Sequence, residues 1–572
     1  MSRTPRLPRV PRAATAPPGP PRIVRDVARL GRDEFDVLVV GGGINGTGVA
    51  RDAARRGLKV ALVEREDYGY GTTGRSTRLV HGGLRYLEQG EFGLVRESLR
   101  ERERLLRAAP HLVQPLRFLL PLYGGAKPAP WRLRLGLLLY DVLSFDKSLP
   151  SRGWLPRERA LAEEPALAAE GLRGAGVYHD AQITFVERLC VENALDAAAH
   201  GASLVNHCEV TGFLLKEGRV TGATVRDRLS GGGAGDDEAG AADEASAPEV
   251  EVRAGVVVDA TGPWMGGVTA LKPARVRRTK GIHVLVAPAV RNAIVLFAPD
   301  GRLFFAIPFV GHTLVGTTDT DYQGDLDDVH ADAEDVAYLR ASAARYLPHA
   351  DLEDVLTTWA GVRSLVAVQG VSESAVTRKH LVVDHHKTEG VGGLISIVGG
   401  KITPYRNVAE RTVDLVAKKI GKRTRCDTRR ALLPGAPFGP WAQERGRVVE
   451  GVCRLGLASP QAERLADLYG QRAPEVAAPC AKDASLAKPV CEHAPDAWCE
   501  VLHAVREEGA VTAADVVFRR TGIGLAPCAG RDAAEPVARF LAPLLGWDAA
   551  REKREAAAVL AEVDRRGRWR TA

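Results

Sequence analysis

Hydrophobic residues recur along this chain in two rhythms, and their alternation predicts a nucleotide-binding sheet that is left and later re-entered. Residues 35–40 form a short β-rich run, Phe35-Asp36-Val37-Leu38-Val39-Val40, and residues 59–64 form a second that ends on Glu64. Between them a helix-compatible stretch reaches Arg56. Buried-strand runs return at 255–259 and at 394–398, the latter followed by a helix-like stretch from 405 to 419. Returns so far apart predict a sheet interrupted by a second domain. Strands are expected at 219–226 and 249–252, around a segment 230–248 that holds acids but no Lys or Arg and has too little apolar content to pack. Phe92, Val95, Leu99 and Leu106 fall at helical spacing and predict a core-facing helix. From about Cys426 onward the pattern is one of alanine-, leucine- and arginine-rich helices, such as 461–468 and 534–545.

The first turn carries the first chemistry, in Gly41-Gly42-Gly43-Ile44-Asn45-Gly46. Glycine at 41 allows a tight turn, at 43 a close backbone approach to a pyrophosphate, and at 46 close packing of helix on sheet. The helix N-terminus then offers unpaired N–H groups to phosphate. Glu64, about twenty residues on, is placed to accept hydrogen bonds from both hydroxyls of an adenosine ribose, and it disfavours a 2′-phosphate. This unit alone leaves FAD and NAD open. The strand ending in Ala260-Thr261-Gly262 and the turn Gly399-Gly400-Lys401 break the tie, because a glycine pair before a helix lets backbone reach a ring edge where negative charge is favoured. Anionic reduced flavin would be stabilised there.

With these residues in view the chain resembles the FAD-dependent, quinone-linked glycerol-3-phosphate dehydrogenase family. The resemblance rests on the glycine turn, His81-Gly82-Gly83-Leu84-Arg85-Tyr86-Leu87-Glu88, Ala260-Thr261-Gly262-Pro263-Trp264, Gly316-Thr317-Thr318-Asp319, Gly361-Val362-Arg363 and Gly399-Gly400-Lys401. It covers roughly residues 35–425, and 500–524 resembles the family's C-terminal domain. It implies an α/β fold: a glutathione-reductase or D-amino-acid-oxidase-type FAD-binding Rossmann domain, an interleaved α+β substrate domain and an all-helical C-terminal cap. On that basis 35–100, 172–266 and 366–425 are assigned to FAD, 101–171 and 267–365 to substrate, and 426–572 to the cap, with 1–34 a disordered basic tail and 230–248 a disordered acidic loop.

The resemblance further implies noncovalent FAD, oxidation of glycerol 3-phosphate to dihydroxyacetone phosphate, and electron delivery to membrane quinone. The implied cofactor set is Asp36, Gly41, Gly42, Gly43, Ile44, Asn45, Gly46, Glu64, Arg65, Thr72, Thr73, Ser76, His81, Gly82, Gly83, Ala260, Thr261, Gly262, Gly399, Gly400, Lys401 and Thr403. Burying a phosphomonoester beside flavin requires several cations with hydrogen-bonding geometry, and Arg85, Arg363 and Lys401, with Tyr86, are the substrate-binding candidates. Proton removal at the C2 hydroxyl suits a histidine; His81 and His283 both stand in family-like contexts, with Arg363 the third catalytic candidate. Two departures stand out. The run Thr72-Thr73-Gly74-Arg75-Ser76-Thr77-Arg78 replaces a serine-rich stretch ending in lysine, and Ser364 replaces a proline.

Composition adds limits. The 572 residues, 45% hydrophobic, suffice for two to four domains. The net charge is +7, but residues 1–34 carry eight arginines against three acids, so the remainder is near neutral and nucleic-acid binding is not indicated. That segment holds seven prolines and no apolar core of a secretory signal; its alternative reading is a basic arm drawn to anionic lipid. Eight cysteines without a CxxC pair fit a reduced cytosolic compartment, and no metal site is expected. No run reaches the roughly 20 apolar residues that span a bilayer. The leucine-, arginine- and aromatic-rich stretch 131–140 suits either a buried helix or an interfacial one, giving peripheral attachment to the cytoplasmic face of the membrane. An oxidase passing electrons to oxygen and a nonenzymatic flavin-binding protein are the competing readings, and a homodimer stays open.

Overall fold

The computed structural model describes residues 21–124, 130–230, 248–266, 276–366 and 380–571. Its β-rich runs assemble into two large sheets. The first follows the order Leu381–Asp384, Leu394–Val398, Glu249–Asp259, Glu34–Val40, Val60–Val63 and Ser203–Val205. From Leu394–Val398 to Ser203–Val205 every neighbour is parallel, with Val37 opposite Val256 on one side and Val60 on the other. Parallel strands are covered on both faces, and these read accordingly as nearly continuous Val, Leu and Ile. One face is covered by the helix Ile44–Arg55, which packs between Val186–Ala199 and Tyr405–Lys419. The antiparallel pair Cys208–Lys216 and Arg219–Asp227 extends the sheet from Glu249–Asp259.

The second sheet has ten strands among the described residues and a largely antiparallel ladder. Val276–Val286 pairs with Val355–Val366 and His312–Gly316, and Val113–Tyr123 pairs with Leu172–Ile183. Leu172–Ile183 therefore belongs to this sheet, correcting the boundary that set 172 onward among the nucleotide-binding segments. Its place is fixed by ladders with Val113–Tyr123, Gly153–Pro156 and Leu79–Val80. At the far edge lies Leu79–Val80, a two-residue strand that brings the chain from the first domain directly into the second sheet.

Residues 21–34 are not a tail. Ile23 is buried and donates its N–H to the Glu507 carbonyl, Arg25 pairs with Asp227, and Val27–Arg32 is a helix capped by Asp26. Residues 1–20 and 231–247, with most of the assigned tail and acidic loop, lie outside the described residues, as do 267–275 and 367–379.

The C-terminal domain is helical apart from a short ladder between Pro489–Cys491 and Ala494–Ala497. It is fastened to the first domain by buried ions. Asp67 accepts hydrogen bonds from Arg519 at 2.9 Å and from Arg520 at 2.6 and 3.0 Å, and Glu508 accepts one from Arg188 at 2.6 Å. The Arg519–Arg520 pair is thus an internal ion-pair anchor. Pairs so buried stabilise only when every partner is present, because removing one leaves a desolvated charge behind.

Candidate active site

The parallel strands of the first sheet end together on one edge, and the turns that follow them wall a cleft of about 440 Å³. Ligands of open α/β sheets lie at this edge. Gly41, Gly43, Ile44 and Asn45 line it from the first turn, Glu64 and Arg65 from the second, Ala260, Thr261 and Gly262 from the third, and Gly399, Gly400, Lys401 and Thr403 from the fourth. Thr72, Thr73, Ser76 and His81 close it. Two glycines are required by space. Gly41 adopts φ +106°, and a Cβ there would lie 2.8 Å from the Ala260 carbonyl oxygen; one on Gly46 would lie 1.8 Å from that of Gly41.

Those walls fit a dinucleotide. Helix Ile44–Arg55 begins at Gly43, which has no side chain to cap it; the Ile44 N–H donates to the Thr73 hydroxyl at 3.1 Å, while the helix N-terminus borders the cleft and the buried Asn45 Oδ1 has no hydrogen-bond partner among the described residues. The Glu64 carboxylate accepts hydrogen bonds from the N–H groups of Gly42 and Glu66, and burial pushes its pKa up. Five predicted cofactor residues do not line this cleft. Asp36 sits elsewhere on its strand, where its carboxylate takes the Lys59 N–H and Lys422 Nζ. Gly42 supports Glu64, Gly46 packs beneath the turn, and Gly82 gives its N–H to Tyr140 at 2.8 Å. Gly83 faces the neighbouring cavity.

That cavity, of about 1520 Å³, adjoins the cleft: Thr72, Ser76, Thr77, Leu79, His81, Arg363 and Lys401 line both. Eight Arg or Lys residues and three acids line it, a balance that favours an anionic ligand. Arg85 and Tyr86 enter on the short helical turn Leu84–Leu87, introduced by Gly83 at φ +79°. Lys401 Nζ lies 3.6 Å from the Tyr86 ring centroid. The Arg363 guanidinium donates to Asp319 at 3.0 Å and to Thr317 at 2.8 Å, and its fork lies flat on Gly281, where a Cβ would come within 2.2 Å of it. All four predicted substrate residues are therefore gathered in one cavity.

The two histidines are placed differently. His81 lines both cavities, its N–H and carbonyl fixed by the Thr403 hydroxyl at 3.0 and 3.2 Å. His283 is 1% exposed, stacked on Trp359, and its Nε2 lies 2.9 Å from the hydroxyl of Thr77, which lines both cavities. Burial, then the charges of Arg363 and Arg78, holds its pKa well below the usual value, so the ring is neutral at pH 7.

Some contributors were not singled out from the sequence. Thr77 shares both cavities and touches His283; Tyr70 and Trp264 line the cofactor cleft together with Cys208, Glu209 and Val210, which arrive from the strand pair at the sheet edge. Thr77 and Trp264 lie inside quoted motifs but were given no role there, and no local motif marks Tyr70, Cys208, Glu209 or Val210. Arg78, where the expected run has lysine, donates twice to Glu187 at 2.6 Å and so braces the turn against the helix Val186–Ala199.

Comparison with known proteins agrees with this geometry. Residues 36–405 match the FAD-dependent oxidoreductase family model, and residues 426–552 match the C-terminal domain of alpha-glycerophosphate oxidase. A glycerol-3-phosphate dehydrogenase from Synechocystis is 39% identical, covering 88% of this chain and 91% of its own. The chain belongs to the FAD-dependent glycerol-3-phosphate dehydrogenase family. Within that family, glycerol-3-phosphate dehydrogenase 2 of Mycobacterium tuberculosis is 38% identical, covering 94% of this chain and 89% of its own. The crystal structure of the Bacillus halodurans glycerol-3-phosphate dehydrogenase complexed with FAD superposes with a TM-score of 0.74 at 28% identity, covering 94% and 96% of the two chains. Family membership makes this chain an FAD-dependent oxidoreductase of D-amino-acid-oxidase type.

Proposed function

We propose that this enzyme oxidises sn-glycerol 3-phosphate to dihydroxyacetone phosphate and passes the electrons to a membrane quinone. The observation that carries the reading is the convergence of Arg85, Arg363 and Lys401 in a cavity contiguous with the cofactor cleft. A phosphomonoester brings nearly two negative charges, and guanidinium forks are suited to hold it. Relatives named for this substrate support the same choice over other phosphorylated polyols. FAD, when bound, supplies the hydride acceptor. The protein's part is to hold the phosphate, turn C2 toward the cofactor cleft and take the hydroxyl proton. His81 is the direct candidate base because it borders both cavities; His283, neutral and joined to Thr77, is the candidate for receiving a proton through that hydroxyl.

The quinone and the membrane rest on the helix Pro130–Leu143. Leu133, Leu137 and Tyr140 are buried, while Trp131, Leu135, Leu138 and Val142 are exposed beside exposed Phe92 and Phe145. Arg132 and Leu133 also line the substrate cavity, so an apolar patch flanked by arginine adjoins that cavity. Among the described residues no helix is long and apolar enough to cross a membrane. Peripheral attachment to the cytoplasmic face follows from this reading. An oxygen-linked reaction keeps one supporting observation, the match of the C-terminal domain to that of alpha-glycerophosphate oxidase.

One experiment separates the readings. The yellow holoenzyme is mixed anaerobically with glycerol 3-phosphate, then given a short-chain quinone or oxygen. Bleaching followed by fast reoxidation with quinone is expected; absence of bleaching would sink the substrate assignment, and faster recovery with oxygen would transfer the reading to an oxidase.

A further inference from the structure

A third cavity lies where all three domains meet, apart from the cofactor and substrate. Its volume is about 50 Å³, room for about four water-sized groups and hence for one tetrahedral oxyanion. Five arginines line it against two glutamates. Two of the five are neutralised: Arg78 by Glu187, and Arg519 by Asp67 and Asp515. The other three are not matched by carboxylates. Arg565 and Arg566, on the last helix Ala549–Gly567, both pair with the one carboxylate of Glu562. Arg75 stacks over the Tyr70 ring at 4.6 Å and has no ion pair with a carboxylate among the described residues. Although burial pushes the Glu562 carboxyl up, Arg566, Arg565 and Arg75 together draw it down to about 2.

We propose that this seam cavity is a binding site for a small dianionic oxyanion of the inorganic phosphate class, held by Arg75, Arg565 and Arg566. Three guanidinium groups around one carboxylate leave about two positive charges in a partly dry space, the condition under which a dianion replaces scattered counterions. Arg75 and the adjacent pair Arg565 and Arg566 come from two distant parts of the chain, so the bound ion ties the C-terminal helix to the segment that separates the other two cavities. Arg75 lines the substrate cavity as well, and Tyr70 lines the cofactor cleft as well. Occupancy therefore stabilises the assembled protein by mass action and acts on both neighbouring walls.

The test uses FAD-loaded enzyme at constant ionic strength, with inorganic phosphate replacing chloride. Phosphate is expected to raise the unfolding midpoint, and the rise should persist in Arg363→Gln, which weakens the substrate cavity's own hold on phosphate. Arg75→Gln combined with Arg565→Gln should weaken phosphate binding at least about tenfold. Glu562→Gln should act oppositely and tighten it, an outcome that a purely structural role for this cluster does not produce. The proposal fails if the rise disappears in Arg363→Gln, or if the double variant binds phosphate as the parent does. If the double variant loses FAD, Glu562→Gln decides alone: unchanged or weaker phosphate binding overturns the site.

Discussion

Arg363 concentrates several demands on one side chain: two donors are already engaged by Asp319 and Thr317, and its plane rests on Gly281. Lysine keeps the charge but not the fork, so Arg363→Lys should lower kcat/KM by about tenfold to a hundredfold, with the flavin spectrum unchanged. Steady-state kinetics equal to the parent would remove Arg363 from substrate recognition. His283 yields a stability test. Its folded pKa lies below the ordinary value near 6.5, so between the two values the unfolded chain binds the extra proton. The stability it contributes is present above about pH 6.5 and is lost as pH falls toward the depressed folded value, with a slope of up to about 1.4 kcal/mol per pH unit. Urea unfolding at several acid pH values should show that slope reduced in His283→Gln. The residues that line the two cavities were legible where a charged or polar side chain stands beside a glycine turn. Thr77 was not, because a hydroxyl acquires its role only from the imidazole that folding brings 2.9 Å away.

Among the elements, the helix Pro130–Leu143 reconciles two readings of one sequence pattern. Leu133, Leu137 and Tyr140 fall on the buried stripe, and Trp131, Leu135, Leu138 and Val142 fall on the exposed one, so the segment is at once a core helix and an apolar surface. Changing Leu135 and Leu138 to Glu alters only the outer stripe. The variant should retain FAD and its anaerobic reduction by substrate, yet float with anionic liposomes several-fold less than the parent; equal flotation would clear this helix of membrane contact. Strands that end in the glycine turns were visible because period and punctuation coincide there. The strand Leu172–Ile183 was misplaced because apolar content marks a strand without naming the sheet it joins. The helix Val27–Arg32 was hidden among prolines and arginines, and its place is set by Ile23 docking beside Glu507, almost five hundred residues away.

At the scale of the whole molecule, buried charge fastens the C-terminal domain. Asp67 serves Arg519, Arg520 and the Asn206 amide from a fully buried position. Asp67→Asn should therefore cost about 3–5 kcal/mol in denaturant unfolding, well beyond an exposed pair's contribution of about 0–1 kcal/mol. A loss within that smaller range would show that the domains are held by apolar contact alone. Such a network is illegible in sequence, since Asp67 and Arg520 look like ordinary surface residues until the chain closes on itself. The short strand Leu79–Val80 has a different consequence. Because the chain leaves the nucleotide-binding domain through it, residues 72–87 furnish walls to both large cavities before any substrate-domain helix begins. Exchange of the substrate domain between relatives would thus have to carry this stretch along with it. A graft joined at the apparent domain border would pair one parent's phosphate cradle with the other's cofactor doorway.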